Sequence, residues 1–362
     1  MKCALIVMLL AMELNVQAAT AKFKVIVTDR ASGTPVQGAK VAGWFHNAAK
    51  GWMSSGETNL EFGYTDSKGC CCLSGKTDNG DVSVGVWAAD GYYAIESIPN
   101  CVPRGNIKIP FERVSYIGRW LPDDIVVTAR LDRIMNPVPL FVKKSTGKFR
   151  EKKQWYYFQD ADYKEISKLS ATNDVPIIKG VVMSYDFFKG AYLPPYGDGE
   201  KADVSFIFNE TCYGWEVVRG GPGVSAYKRF RMDVSVVFPG MGNGMVEVPH
   251  VLNAGINLRT ATQDGYGNKM TCWYGRFFGE RGEKTNCNKS RCYAFRIRTV
   301  YDEGGNIKSA YYGKIYGDFD MTGLDGVRFL YYLNPTPNDR NLEWDMKNNL
   351  CPNPGDIGNP RP

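Results

Sequence analysis

The stretch TDSKGCCCLSG, Thr65 to Gly75, sets three of the chain's ten cysteines side by side behind a turn. Neighbouring thiols can ligate a soft metal, exchange electrons or close disulfides, and spacing decides which. In an extended strand Cys70 and Cys72 share one face and lie roughly 7 Å apart, at or beyond the reach of a bond between them. Zinc would need two more ligands, and no second C-x-C or nearby histidine offers them. We therefore name no metal site and no cofactor. Further on, Cys287 and Cys292 flank the short polar loop N-K-S-R and are candidates for a hairpin disulfide, with Cys272 and Cys212 a second pairing. Cys351 has no evident partner. With Cys3 set aside in a leader segment, the remaining cysteines are odd in number, so one stays unpaired or bonds between chains.

Catalytic chemistry finds little support. Histidine is the usual proton shuttle and metal ligand, yet outside motifs of any kind there are only His46 and His250. No G-x-S-x-G is present, so no triad is predicted. Paired carboxylates are the remaining enzymatic option, because a glycosidase needs two acids roughly 5–10 Å apart. Asp160, Asp162, Asp186, Glu216, Asp318 and Asp320 are the candidates, and Asp198, Glu200 and Asp203 offer oxygen ligands without the pattern of an EF-hand. Aromatic residues make the better case, for binding. Trp155, Tyr157, Tyr192, Tyr196 and Trp273 recur near predicted loops, where flat rings can stack on sugars or anchor a partner protein.

These residues need elements to position them, and the pattern predicts strands. Thirty-nine glycines, 19 prolines and short alternating apolar runs point to an all-β chain, and 362 residues suffice for two domains. In KFKVIVTD, Phe23, Val25 and Val27 fall on one face, and in DDIVVTARLDRI so do Ile125, Val127, Ala129 and Leu131. Before them, residues 1–21 have a lysine, an apolar run and small residues at Ala18, Ala19 and Ala21, the layout of a cleaved export signal. No later segment is long and apolar enough to span a bilayer as a helix.

The order V-x-D, S-G-T-P-V-Q-G-A-K-V, Y-T-D-S-K-G and W-A-A-D-G-Y resembles the carboxypeptidase regulatory-like domain, a transthyretin-like, Ig-like β-sandwich. The resemblance implies such a sandwich over 22–140, without catalytic residues and serving as a structural or adhesive module. It implies that Cys71 and Leu73 point inward, leaving Cys70 or Cys72 to bond Cys101. His46 to Glu61 is longer than the pattern requires and is expected to be a hairpin tip, with a binding loop the alternative.

Pro137, Pro139 and the charges of Lys143 to Lys153 predict a basic linker over 141–153, with LFVKK alternatively the first strand of the second domain. A larger antiparallel β-sandwich is expected over 154–350, its clearest hairpin turning at Glu303 to Asn306, and a loose tail over 351–362. The words YGKIYGDFD and YYLNPTPNDRNLE resemble the C-terminal region of a group of uncharacterised exported bacterial proteins, which implies an exported context and no activity. A net charge of +6 is mild, and without a binding motif nucleic acid is excluded as a partner. The expectation is a non-catalytic secreted or surface-associated binding or structural module, with a glycan or cell-surface protein as partner. The alternative is a carbohydrate-active hydrolase using two second-domain carboxylates.

Overall fold

The computed structural model describes residues 18–48, 56–87, 89–93, 107–115, 117–147, 179–220, 223–249, 258–320, 327–355 and 357. All regular structure among them is strand, so the chain is all-β, and no helix is long and apolar enough to cross a membrane. It divides into two units, Met1–Met135 and Asn136–Pro362.

The first unit contains β1 (Ala19–Asp29), β2 (Lys40–His46), β3 (Thr58–Tyr64), β4 (Cys70–Thr77), β5 (Asp81–Val86), β6 (Ile107–Pro110), β7 (Arg113–Val114), β8 (Trp120–Leu121) and β9 (Val126–Leu131). Two larger sheets form, in the orders β4-β1-β9 and β3-β2-β5-β6, with β1 and β9 parallel, and β7 pairs with β8 in a third. Alternation places Phe23, Val25, Val27, Val82, Val84, Val127 and Ala129 in their shared core. Ala19 and Ala21 belong to that core as well. The expected leader over 1–21 therefore overlaps β1 from Ala19 to Ala21.

At the turn before the cysteines, Asp66 Oδ1 accepts hydrogen bonds from the backbone N–H of Lys68 and Cys70, and Gly69 takes a φ of 71°. The strand then alternates as expected, with Cys71 and Leu73 buried and Cys72 exposed. Cys71 fits because its neighbour across the core has no side chain. A Cβ on Gly63 would lie 2.5 Å from the Cys71 sulfur. We expect Gly63→Ala to cost about 1–3 kcal/mol through overpacking. Cys71→Ala should restore most of it, and additivity in a urea-unfolding double-mutant cycle would refute this contact.

The second unit contains β10 (Val138–Thr146), β11 (Lys179–Asp186), β12 (Ala191–Tyr192), β13 (Val204–Gly220), β14 (Gly223–Val237), β15 (Gly244–Glu247), β16 (Lys269–Arg276), β17 (Lys284–Thr285), β18 (Cys292–Tyr301), β19 (Ile307–Asp320), β20 (Arg328–Leu333) and β21 (Trp344–Asn349). Its two six-stranded sheets run β15-β18-β19-β20-β10-β21 and β12-β11-β13-β14-β16-β17. Pairing is antiparallel except between β10 and β21. A core rich in aromatic rings lies between the sheets, including Phe187, Phe206, Phe295 and Tyr331. The sheet containing β18 has a second apolar cluster on its opposite face, including Cys292, Ala294, Tyr312, Tyr332 and Trp344. Burial on both faces explains why β18 has six buried residues in a row.

Two expected boundaries change. Residues 141–146 are not linker but part of strand β10, which pairs with β20 from Phe141 to Thr146, so LFVKK belongs to the first strand of the second unit as the alternative has it. Prolines did not prevent this, because Pro139, lacking an N–H, falls where the pairing with β21 shifts register. The rest of the expected linker, from 148, lies outside the described residues. The tail is not loose at its start either: Cys351 is buried and Ile357 packs on the second cluster.

Candidate binding face

The residues expected to bind a ligand do not gather. Tyr192 is a core residue: its ring meets Tyr185 edge-on at 4.8 Å, and its hydroxyl donates to the Val327 carbonyl and accepts from Ser145 Oγ. Tyr196 packs against the same core. Trp273 lies on the outward face of the same sheet, with Arg231 5.0 Å above its ring and Phe277 6.1 Å away. Tyr213 extends that outward cluster, 6.0 Å from Phe277. Trp155 and Tyr157 lie outside the described residues, as do His250, Asp160 and Asp162.

Five of the candidate acids, Asp186, Asp203, Glu200, Glu216 and Asp318, are engaged in structural pairs. Asp186 and Asp203 both bind the Arg298 guanidinium, at 2.9 Å and 2.8 Å. Asp318 is paired with Arg291 and Glu216 with Arg229. Of the calcium candidates, Asp203 is thus taken by Arg298, and Glu200 by Lys189 at 2.8 Å.

Disulfide candidates fare similarly. Cys70 and Cys72 lie on the outward side of β4, where the Cys70 thiol donates to the Lys68 carbonyl, and Cys101 lies outside the described residues. The expected Cys287–Cys292 bond is not formed, because the two face different cores. Cys292 packs in the outer cluster of its sheet, while Cys287 packs on the core between the sheets. There Cys287 meets Cys272 and Asp318, whose ligand atoms all lie within 4.8 Å of one another. By proximity these three could hold a soft cation.

Among the described residues, an open aromatic surface that sequence reasoning did not single out lies in the first unit. On β2, Val41 and Phe45 point into the core, so Lys40, Ala42, Trp44 and His46 point out. Register sets Leu60 opposite Trp44 and Phe62 opposite Ala42, and on the other side Ser83 opposite Trp44 and Gly85 opposite Ala42. Trp87 follows β5 on this face. The result is a floor of small residues, Ala42 and Gly85, among large rings. Trp44 and Trp87 are 5.7 Å apart, Phe62 stacks on Trp87 at 5.5 Å, and the Lys40 ammonium lies 4.4 Å from Phe62 and 5.0 Å from Trp87. Leu60, Phe62 and Tyr64 remain 43%, 47% and 67% exposed. A solvated sheet face is ordinarily polar, so these exposed apolar side chains make it a candidate contact face. Hydrogen-bonding groups stand at its end: His46 Nδ1 lies 2.9 Å from Thr58 Oγ1 and its Nε2 3.4 Å from Ser83 Oγ. The available signal was L-x-F-x-Y at Leu60 to Tyr64, a period of two hidden because Leu60 and Glu61 read as part of a hairpin tip.

No protein-family model and no curated protein match the chain. Among solved structures it is similar to a Streptococcal ancillary pilin, at 13% identity and a TM-score of 0.20, covering 58% of each chain. It thus spans 58% of that pilin's length. It is also similar to BcpA, the major pilin subunit of Bacillus cereus, at 10% identity and a TM-score of 0.21, covering 86% of this chain and 95% of that one. Shaft pilin SpaA from Lactobacillus rhamnosus GG gives 9% identity and 0.20, covering 83% and 94%. No residue role or partner is carried over from these proteins.

Proposed function

We propose that the chain is an exported, non-catalytic bacterial binding module, surface-associated or secreted, and that its contact is the outward aromatic face of the first unit. The observation that carries this reading is the cluster of Trp44, Phe62 and Trp87 over the small floor of Ala42 and Gly85, open to solvent at Phe62 and Tyr64. Its ligand is a glycan: sugar rings present flat C–H faces that lie on aromatic rings, and their hydroxyls suit the ammonium of Lys40 and the polar groups around His46. The leader-like start of the sequence supports export, and the regulatory-like resemblance supports a module without catalytic residues.

A glycan array probed with the full chain tests the reading. Specific retention is expected, and Phe62→Ala with Trp87→Ala should weaken it roughly 30-fold, the scale of a contact hot spot. Retention unchanged in that double variant would remove the face from the reading. Turnover of an arrayed glycan would instead favour the hydrolase alternative. A blank array turns the reading toward a protein partner, which exposed Leu60 and the position of β3 at the end of its sheet favour.

A further inference from the structure

We propose that Cys272 and Cys287 form a disulfide that locks the crossing between the two sheets of the second unit. Cys272 belongs to β16 in one sheet, and Cys287 follows β17, just before the chain enters β18 of the other. The backbone that presents Cys287 is held directly against β16. Thr285 Oγ1 donates to the Trp273 carbonyl at 2.8 Å, Asn286 N–H donates to the same carbonyl at 3.2 Å, and Trp273 N–H donates to Asn286 Oδ1 at 2.6 Å. Cys287 N–H in turn donates to Thr285 Oγ1 at 3.0 Å. On the far side, Asn288 N–H donates to Asp318 Oδ2 on β19. Cys287 is therefore pinned from both sheets, with its sulfur beside that of Cys272.

Asp318 separates this from a metal site. Its Oδ2 already accepts from Asn288 N–H and Arg291 Nη1, and its Oδ1 from Phe319 N–H. The carboxylate is spent on holding the loop, and the Arg291 charge beside it opposes a cation. Two thiols alone make a poor zinc site, which takes four ligands, but a sufficient disulfide.

The pair is also polarised. Hydrogen bonding from the Cys272 thiol holds Cys287 below the ordinary thiol range despite its partial burial. Cys287, the more accessible of the two, is thus the first nucleophile. Its thiolate attacks an external disulfide such as oxidised glutathione, forming a mixed disulfide and releasing one thiolate. Cys272 then loses its proton to solvent and attacks the Cys287 sulfur, releasing the second thiolate. Two electrons pass from the pair to the external disulfide, which is reduced to two thiols.

The test does not depend on where the chain acts. The full chain, purified reduced and exposed to oxidised glutathione, is alkylated and mapped by mass spectrometry without reduction. A linked peptide pair holding Cys272 and Cys287, lighter by two hydrogens, is expected. The oxidised chain should melt roughly 6–12 °C above the reduced one, as for closure of a loop of about 15 residues in a unit of this size. In the Cys272→Ala/Cys287→Ala variant that sensitivity to reductant should vanish. Alkylation of both thiols, a bond from either to another cysteine, or one equivalent of zinc retained by the reduced chain and released on alkylation would each overturn the proposal.

Discussion

Replacing Arg298 with methionine lowers the stability of the second unit by about 3–5 kcal/mol, the usual cost of stranding buried carboxylates by removing their partner. The guanidinium binds Asp203 through Nε at 2.8 Å and Nη2 at 2.9 Å, and Asp186 through Nη2 at 2.9 Å. Both acids are almost fully buried. Arg298 reaches them because β18 shifts register between Ile297 and Val300 and Arg298 adopts a φ of 52°, so the bulge turns its side chain toward the opposing sheet. Few non-glycine residues adopt such a backbone, and here the ion pairs hold it.

The same cluster gives the variant a pH signature. Burial pushes the Asp203 carboxyl up, and Arg298 only partly offsets this. Burial also acts on Asp186, but the N–H groups of Lys189, Lys201 and Glu200 together with Arg298 hold it below the ordinary range. Without the arginine, the folded-state pKa of Asp203 rises further above its unfolded value. A carboxyl so raised binds its proton more readily in the folded state, so stability recovers as pH falls through the folded pKa. The gap between wild type and Arg298→Met in urea unfolding should therefore narrow from neutral pH toward pH ~5, near the ordinary carboxyl range. A gap independent of pH would mean that the loss comes from packing over Phe188, on whose ring the guanidinium also lies at 4.3 Å.

Phe187→Ala is the second large effect, expected to cost about 3–5 kcal/mol. Phe187 is fully buried, stacks on Phe295 of the opposing sheet at 4.6 Å, and meets Tyr331 edge-on at 4.8 Å. Its carbonyl accepts the Tyr331 hydroxyl at 2.8 Å, a bond that the substitution leaves available. The loss is therefore one of cavity and ring contact. Phe187→Leu should recover more than half of it, and equal losses for leucine and alanine in thermal or urea unfolding would point to backbone damage.

Much of the fold was legible because strand alternation is local. Phe23, Val25 and Val27 announced β1, the turn at Glu303 to Asn306 lies between β18 and β19, and Cys71 is buried as the regulatory-like resemblance implies. The short strands were less visible. β21, WDMKNN, is mostly polar, and its place is set by β10, a strand some 200 residues earlier in the chain whose Val142 N–H donates to Asn349 Oδ1. The linker assignment failed for the same reason: prolines and lysines read locally as loop, while Leu140 and Val142 were needed beneath Trp344.

The site divides in the same way. From sequence alone came an all-β chain with a leader-like start, few histidines, cysteines that form no evident metal set, and enough aromatic residues to bind something. Those properties rest on composition and near-neighbour spacing. Tertiary structure decided which rings are core, as with Tyr192, and which stand open, as with Phe62; which acids Arg298 neutralises; and that Cys287 meets Cys272 rather than Cys292. The reason is that alternation assigns residues to two faces without saying which face another layer covers. Two sheets buried against each other, one of them covered on both sides, settle that only when distant strands are brought into register.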